Sequence, residues 1–341
     1  MPPTDLDIVI VNWNVRDLLR ACLESILATP GAQLDGRGTL HLGQYTVRVY
    51  VVDNASTDGS PDIVRETFPW AQLIESDVNL GFTRGNNLAL RRCQGRYVLL
   101  LNPDTRVLGD ALIVMLDYME SHPDVGVLGP RLYYGDGTVQ SSRRRFPTLG
   151  MALMESTILH QRFPRNRWAL AYHVDDVPAG IEQKVDWVVG ACMMVRGEAM
   201  RAVGLLDERF FMYSEELDWC RRIVDAGWST VYLPRAEVVH YEGRSSEQAG
   251  AARHIHFETS KVLYFRKHHG VWKAGLLRLF LLAGYVFRLG EEMAKYLLGH
   301  RRSLRRTRMA VYRQVLRSRL MPTDAMCGTS HLGISRVEGT S

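Results

Sequence analysis

The chain has 341 residues, of which 46% are hydrophobic and 23% charged. This is the balance of an ordinary globular protein, long enough for one large domain and an appendage, and it excludes a disordered or fibrous chain. The net charge of +5 is unevenly placed: residues 261–320 hold 15 Lys/Arg against 2 Asp/Glu, a net of +13, which leaves −8 for the rest.

In chain order, Asp7–Asn14 reads as a buried strand with a polar exit, reached so soon that no secretory signal peptide is expected. Helical spacing follows over Asp17–Leu27. Pro30–Thr46 is Gly-rich and reads as a loose connection. A strand over Val47–Val52 ends in Asp53-Asn54, and Ser60-Pro61 reads as the N-cap and first turn of a helix over Asp62–Phe68. After a short strand at Gln72–Glu75, Asn79–Asn87 opens a helix ending near Cys93.

The apolar run Tyr97-Val-Leu-Leu-Leu then stops at Asn102-Pro103-Asp104. A helix at Asp110–Ser121, a strand at Val125–Leu132 and a turn at Asp136-Gly137 come next. Ser141–Val177 is irregular and carries Arg143-Arg144-Arg145, either a solvated loop or one that shapes a substrate cleft. Asp186–Val195 reads as a buried strand in which Gly190 permits close approach to the backbone. Helices follow at Gly197–Val203 and Trp219–Ala226, then a strand at Trp228–Leu233, and Val238–Gly243 closes the domain.

Alternating strands and helices at this spacing predict a parallel sheet covered on both faces, with polar strand ends gathered along one edge. No Gly-x-Gly-x-x-Gly follows the first strand and no Walker A sequence occurs, which excludes a dinucleotide-dependent hydride transferase and a P-loop NTPase. Cys22, Cys93, Cys192, Cys220 and Cys327 are scattered without a CxxC pair. That argues against a thiolate zinc site and for a reducing compartment.

Taken singly, the polar residues each have two readings. Asp104 either caps a turn or delivers a carboxylate to a ligand. Glu215, Glu216 and Asp218 either complement a helix dipole or, emerging from the apolar run Phe210–Tyr213, are buried carboxyls suited to act as a general base. His240 is either structural or a ligand.

In order and spacing, Val51–Ser60, Asn79–Asn87, Leu100–Asp104, Val188–Cys192, Phe210–Cys220 and His240–Gly243 resemble the inverting, GT-A-fold family 2 glycosyltransferases. The resemblance covers about residues 6–267 and lies nearest the bacterial rhamnosyltransferase-like branch. It implies an α/β GT-A catalytic domain over 1–267, with a nucleotide-sugar half to about 130 and an acceptor half beyond.

Carried over by position, the resemblance gives Asp53 the nucleotide base or ribose, with Asn12 in the same pocket and Asn54 and Asn79 nearby. Asp104 takes the last place of the family's DxD motif and binds Mg²⁺ or Mn²⁺ on the diphosphate. Asn102 stands where that motif begins with Asp, and His240 completes the metal site. Glu216 takes the place of the base, where many members have Asp, which leaves the choice between Glu215 and Glu216 open. Arg84 stands where the branch often has a small residue, and either contacts the diphosphate or faces solvent. Trp187, Gly190 and Asp218 fall on the acceptor side.

The implied donor is dTDP-rhamnose, with a UDP-hexose or UDP-galactofuranose as the alternative. The implied acceptor is a lipid-linked or cell-surface polysaccharide. A catalytically silent sugar-nucleotide-binding assembly subunit is the rival of another class, favoured by Asn102 and the Glu-Glu pair.

Residues 268–320 are helical, basic and amphipathic. Lys273, Arg278, Arg288, Glu291, Glu292 and Lys295 share one side, and Leu279, Leu282, Val286, Phe287, Leu289, Met293 and Leu297 cover the other. Charges interrupt the apolar run short of the ~18–20 residues a bilayer span needs. The segment suits an anionic membrane surface, giving a cytoplasmic protein peripheral on the inner face of the cell membrane. The alternatives are packing on the catalytic domain or across a homodimer interface; nothing else supports nucleic-acid binding. Residues 321–341 are polar and read as a disordered tail.

Overall fold

A computed structural model describes residues 4–36, 38–155, 166–241 and 250–321. The expected tail beyond Met321, Cys327, and Glu242 and Gly243 of the last motif lie outside the described residues.

The first half contains β1 (Leu6–Asn12), α1 (Arg16–Leu27), β2 (Ala32–Leu34), β3 (Leu40–Leu42), β4 (Tyr45–Asn54), α2 (Ser60–Thr67), β5 (Gln72–Ser76), α3 (Gly81–Leu90), β6 (Tyr97–Leu101), β7 (Thr105–Val107), α4 (Ala111–Ser121) and β8 (Val125–Tyr133). The second contains β9 (Val139–Gln140), β10 (Arg143–Arg144), α5 (Leu149–Glu155), α6 (Arg167–His173), β11 (Gln183–Val185), β12 (Trp187–Val188), β13 (Cys192–Arg196), α7 (Gly197–Val203), α8 (Glu215–Asp225) and β14 (Ser229–His240). Three long helices end it: α9 (Gly250–His269), α10 (Val271–Leu297) and α11 (Arg302–Ser318).

Among the described residues one sheet runs in the order β11-β14-β8-β13-β6-β1-β4-β3-β2, with β5 paired to β4, β7 to β14 and β9 to β8. The central strands are apolar on both faces, as a covered parallel sheet requires. Leu6, Ile8 and Ile10 of β1 point into the core shared with α1 and α4, while Val9 and Val11 point into a second core on the opposite face. This is the period-2 alternation of a strand.

Three departures from the sequence reading matter. The expected loose connection after α1 is a β2–β3 hairpin that widens the sheet beyond β4. The α2 cap is Gly59 rather than Ser60, with Pro61 in the first turn; the Asp58 carboxylate accepts the Ser60 N–H at 3.0 Å. The expected single strand over Asp186–Val195 is broken at 189–191, and β13 runs antiparallel to both β6 and β8.

That reversal sets the site. With β13 inverted, β8 and β14 run in the direction of β6, since β14 pairs parallel with β8. The carboxyl ends of β1, β4, β6 and β14 therefore share one edge with the start of β13.

The C-terminal helices share the second core with the sheet: Tyr264, Phe265, Leu277, Leu281, Tyr285 and Val315 belong to the same buried cluster as Val9, Val52 and Trp219. The single apolar face expected for α10 resolves into two. An inner stripe, Ala274, Leu277, Leu281 and Tyr285, is buried, and an outer one containing Leu279, Val286, Phe287 and Leu297 is exposed. Glu292 is not on a solvated side: it is buried and paired with Arg305 at 2.9 Å. Among the described residues no helix is long and apolar enough to cross a membrane.

Candidate functional site

The first cluster lies where β1 and β4 end side by side, Asn12 pairing with Asp53 in register. Asn12 Nδ2 donates to Asp53 Oδ1 at 3.0 Å and to Ser56 Oγ at 3.1 Å, while the Ser56 N–H donates to Asp53 Oδ2 at 2.9 Å. Two of these bonds hold the Asp53 carboxylate at the strand tip, and the third ties its two donors together. Asn54, beside it, is turned to structure: its Nδ2 donates to Asn79 Oδ1 at 3.0 Å and to the Gly81 carbonyl at 3.1 Å, and its Oδ1 accepts the Leu80 N–H at 2.8 Å. Asn79 accepts the Gly81 N–H in turn, at 2.9 Å. Asn54 and Asn79 therefore tie the β4 tip to the start of α3. Gly81 has φ +78°, and a Cβ there would come within 2.7 Å of Phe211. The same contact brings the segment before α8 over this pocket. Arg84 Nε stands 3.8 Å from Glu208, partly exposed.

The second cluster forms where β6 ends and β7 pairs with β14, His240 lying opposite Thr105. Asp104 Oδ1 is 3.4 Å from His240 Nε2, and Asn102 Nδ2 is 3.5 Å from the same nitrogen. The other ring nitrogen, Nδ1, lies 3.0 Å from Gln140 Oε1. With Nδ1–H donating to that oxygen, Nε2 keeps its lone pair toward Asp104, the tautomer a metal ligand requires. Asn102 Oδ1 is buried and has no hydrogen-bond partner.

The residues suit a hard divalent cation that is only partly held by protein, with the Asp104 carboxylate and the His240 imidazole facing each other and the Asn102 amide beside them. Among the described residues no cluster of three or more His, Cys, Asp or Glu forms, so phosphate oxygens would have to complete such a shell. Gln140 escaped the sequence reading. A short hairpin carries it, and its only sequence signal was the Asp136-Gly137 turn.

The third cluster is the α8 amino end. Tyr213 (φ +70°) and Ser214 (φ +64°) are both left-handed, an uncommon conformation for residues with a Cβ, and they turn the chain sharply into Glu215 and Glu216. Glu215 is buried; Glu216 is half-buried. One carboxylate oxygen of each, Oε2, lacks a partner. Burial pushes the Glu215 carboxyl well above its usual range, and the neighbouring Glu216 adds to that. Burial also raises Glu216, offset in part by backbone N–H groups, including that of Gly190, and by the Arg144 cation.

Gly190 is the joint between this cluster and the second. A Cβ on it would lie 3.4 Å from the Glu216 side chain, and next along the chain the Ala191 carbonyl accepts the Asn102 N–H at 2.8 Å. The broken strand thus brings Glu216 to the end of β6.

Trp187 and Asp218, expected beside an acceptor, are placed otherwise. Trp187 is buried and its indole N–H donates to the Arg145 carbonyl at 3.0 Å. Asp218 is fully buried and binds Arg222 at 2.9 Å and Lys267 and His268 of α9 at 2.7 Å each. Burial alone would raise its carboxyl, but His268, Lys267 and Arg222 hold it below the ordinary value. Arg144 is the cation near Glu216; its triplet was noted in the sequence without any sign of which arginine turned inward.

Among the described residues no thiol competes for a catalytic role. Burial pushes Cys22 and Cys220 up to about 12, so neither is a nucleophile at neutral pH.

Comparison with known proteins agrees with this geometry. The model of the family "Glycosyl transferase family 2" matches residues 7–190. The N-acetylglucosaminyl-diphospho-decaprenol L-rhamnosyltransferase of Mycobacterium tuberculosis is 32% identical over 243 residues, spanning 67% of this chain and 78% of the relative. Rhamnosyltransferase WbbL of Escherichia coli is 28% identical over 180 residues, 47% of this chain and 61% of its own. Among solved structures, the mannosyltransferase PcManGT from Pyrobaculum calidifontis, in complex with GDP-Man and Mn²⁺, has a TM-score of 0.50 at 16% identity, covering 95% of this chain and 86% of its own. That likeness speaks for the fold alone, which is GT-A-like. The chain belongs to glycosyl transferase family 2 and is a rhamnosyltransferase-like glycosyltransferase.

Proposed function

We propose that the protein transfers a sugar, rhamnose from dTDP-rhamnose in the best-supported reading, with inversion, onto a lipid-linked acceptor at an anionic membrane surface. The observation that carries this is the convergence of Glu216 and the Asn102–Asp104–His240 cluster through Gly190 and Ala191. The rhamnosyltransferase relatives support the donor, and the decaprenyl-diphosphate relative supports the acceptor class.

Asn12 and Asp53 would hold the base or ribose. Asp104 and His240, with Asn102 Oδ1, would hold Mg²⁺ or Mn²⁺, which supplies charge stabilisation for the departing diphosphate. Mn²⁺ in the complex of the Pyrobaculum calidifontis mannosyltransferase agrees with this chemistry. Glu216 would take the acceptor hydroxyl proton as that oxygen attacks the anomeric carbon from the face opposite the nucleotide. Burial and the neighbouring Glu216 charge push Glu215 well above its usual range, whereas the Gly190 N–H and the Arg144 cation offset the rise at Glu216, which leaves Glu216 the more readily ionised of the two. Residues 1–130 would serve the donor and 131–267 the acceptor. Asn102 and the Glu-Glu pair are what favours a catalytically silent sugar-nucleotide-binding assembly subunit instead, and no observation favours a homodimer.

The test is a panel of dTDP- and UDP-sugars with a polyprenyl-diphosphate-linked acceptor, run with and without chelator on the native protein and Glu216→Gln. Turnover of dTDP-rhamnose that chelator abolishes, and that Glu216→Gln lowers by about 10²–10⁴-fold with donor binding retained, is expected. Preferential turnover of a UDP-hexose would reassign the donor; undiminished turnover in the variant would move the base.

A further inference from the structure

The outer face of α10 is apolar for nearly its whole length. Trp272, Leu276, Leu279, Val286, Phe287 and Leu297 are all exposed, Trp272 at 89%, Leu279 at 67% and Leu297 at 71%. Trp272, Leu276, Leu279, Val286 and Leu297 are 4, 3, 7 and 11 residues apart, with Phe287 next to Val286, and so fall on one side of a helix. The positions between them on that side, Ala283, Gly290 and Ala294, are small and exposed. From Trp272 to Leu297 the stripe runs about 38 Å at 1.5 Å per residue. Globular proteins do not leave so long an apolar stripe in water without a use for it.

The inner stripe of the same helix is already occupied by α9, α11 and the sheet core, and among the described residues the outer stripe stays exposed. At its amino-terminal end it adjoins a groove between α9, α10 and the end of α11. There the apolar side chains of Val262, Leu263, Val271 and Met321 lie beside Arg266 and Arg278.

Two occupants fit an exposed apolar stripe of this kind, a bilayer or the same stripe of a second copy. Charge separates them. The stripe belongs to a segment of net +13 (residues 261–320), and Arg301, Arg302, Arg306, Arg313 and Arg317 of the helical hairpin are exposed. Two such segments repel each other, whereas a surface of anionic lipid attracts both.

Resting on the lipid-linked acceptor reading given above, we propose that the outer face of α10 is the bilayer-docking surface. Its apolar stripe enters the acyl boundary of an anionic leaflet, and the flanking arginines, Arg266 and Arg278 among them, meet headgroup phosphates. The helix lies in the interface plane, and the inner stripe keeps the catalytic domain attached to it.

The experiment is vesicle co-flotation of the full-length protein with phosphatidylcholine vesicles, with and without phosphatidylglycerol, at low and high salt. Neither donor nor acceptor is present, so a wrong acceptor assignment leaves the result unchanged. The native protein is expected to bind the anionic vesicles and to lose binding as salt rises. Leu279→Glu/Phe287→Glu is expected to lower affinity at least about tenfold, the scale of one large apolar side chain withdrawn from hydrocarbon. Both side chains face water, so the variant should keep the native circular dichroism and melting temperature. Undiminished binding by the folded variant would overturn the proposal. So would a native protein that ignores anionic vesicles and forms a dimer dispersed by the same variant, which would make a second copy the occupant.

Discussion

Glu216 is a carboxyl whose surroundings disagree about its charge. Burial resists ionisation, while the Arg144 cation and the Gly190 N–H favour it, and burial prevails. A base with such a raised value loses its function on the acid side at a pH above the 4.5 of an ordinary glutamate. The rate of transfer should therefore fall on acidification through a limb displaced upward from that value. Arg144→Met should move the limb further up, read from the pH profile of kcat. A limb that moved down would mean that Arg144 does not face the ionised base. The same shift has a stability consequence of definite sign. The folded state holds these protons more tightly than the unfolded one, so Glu215 and Glu216 subtract stability as pH rises above the ordinary carboxylate range.

Residue types showed Asp53, Asp104, Glu216 and His240 in the sequence because each follows an apolar run and has chemistry to offer. What single residues could not show is direction. Asn54 and Asp53 are neighbours with similar side chains, yet Asn54 faces the α3 turn and Asp53 faces the Asn12 pocket. Gln140 was hidden because its partner lies a hundred residues away on β14.

At the scale of elements, α8 is held from both ends of its first turn. Tyr213 and Ser214 set its entry, and Asp218 anchors it to α9 through Lys267 and His268. Asp218→Ala would leave Lys267, Arg222 and His268 without their buried partner. The expected loss is about 3 kcal/mol, the low end for a broken buried pair because Lys267 and Arg222 remain partly in contact with water. Urea unfolding near neutral pH measures it. The difference between native and variant should shrink as pH falls below the ordinary carboxylate value, where the depressed Asp218 takes up its proton. A variant as stable as the native protein would show that the clamp is idle.

The parallel strands β1, β4 and β6 were legible because two-sided burial makes each a continuous apolar run. The β2–β3 hairpin was not: its strands are three residues long, and Gly and polar side chains conceal them. Strand direction was likewise invisible for β13, whose composition is that of its parallel neighbours.

For the whole molecule, the C-terminal helices are part of the fold as well as a proposed attachment. Removing residues 271–321 would strip Leu277, Leu281, Tyr285, Val315 and Leu320 from a shared core. At about 1.5–3 kcal/mol for each large apolar side chain, the loss is comparable to the whole stability of a typical domain. The truncated chain should be aggregated or lack a cooperative melt by calorimetry, and a truncated protein melting as the native one does would refute the shared core. Sequence periodicity detected the amphipathic helix but merged its two apolar stripes, because apolar residues at neighbouring angles do not say which of them has a partner.

The two left-handed residues ahead of Glu215 set stability against turnover. A side chain in that conformation costs about 1–2 kcal/mol, a cost that glycine avoids. Ser214→Gly should therefore unfold at higher urea concentration while turning over more slowly, since the relaxed joint no longer fixes where the carboxylates point. Selection for thermal tolerance alone would favour that change, and selection for rate would remove it. Persistence of a non-glycine residue at this turn would then record which of the two has prevailed.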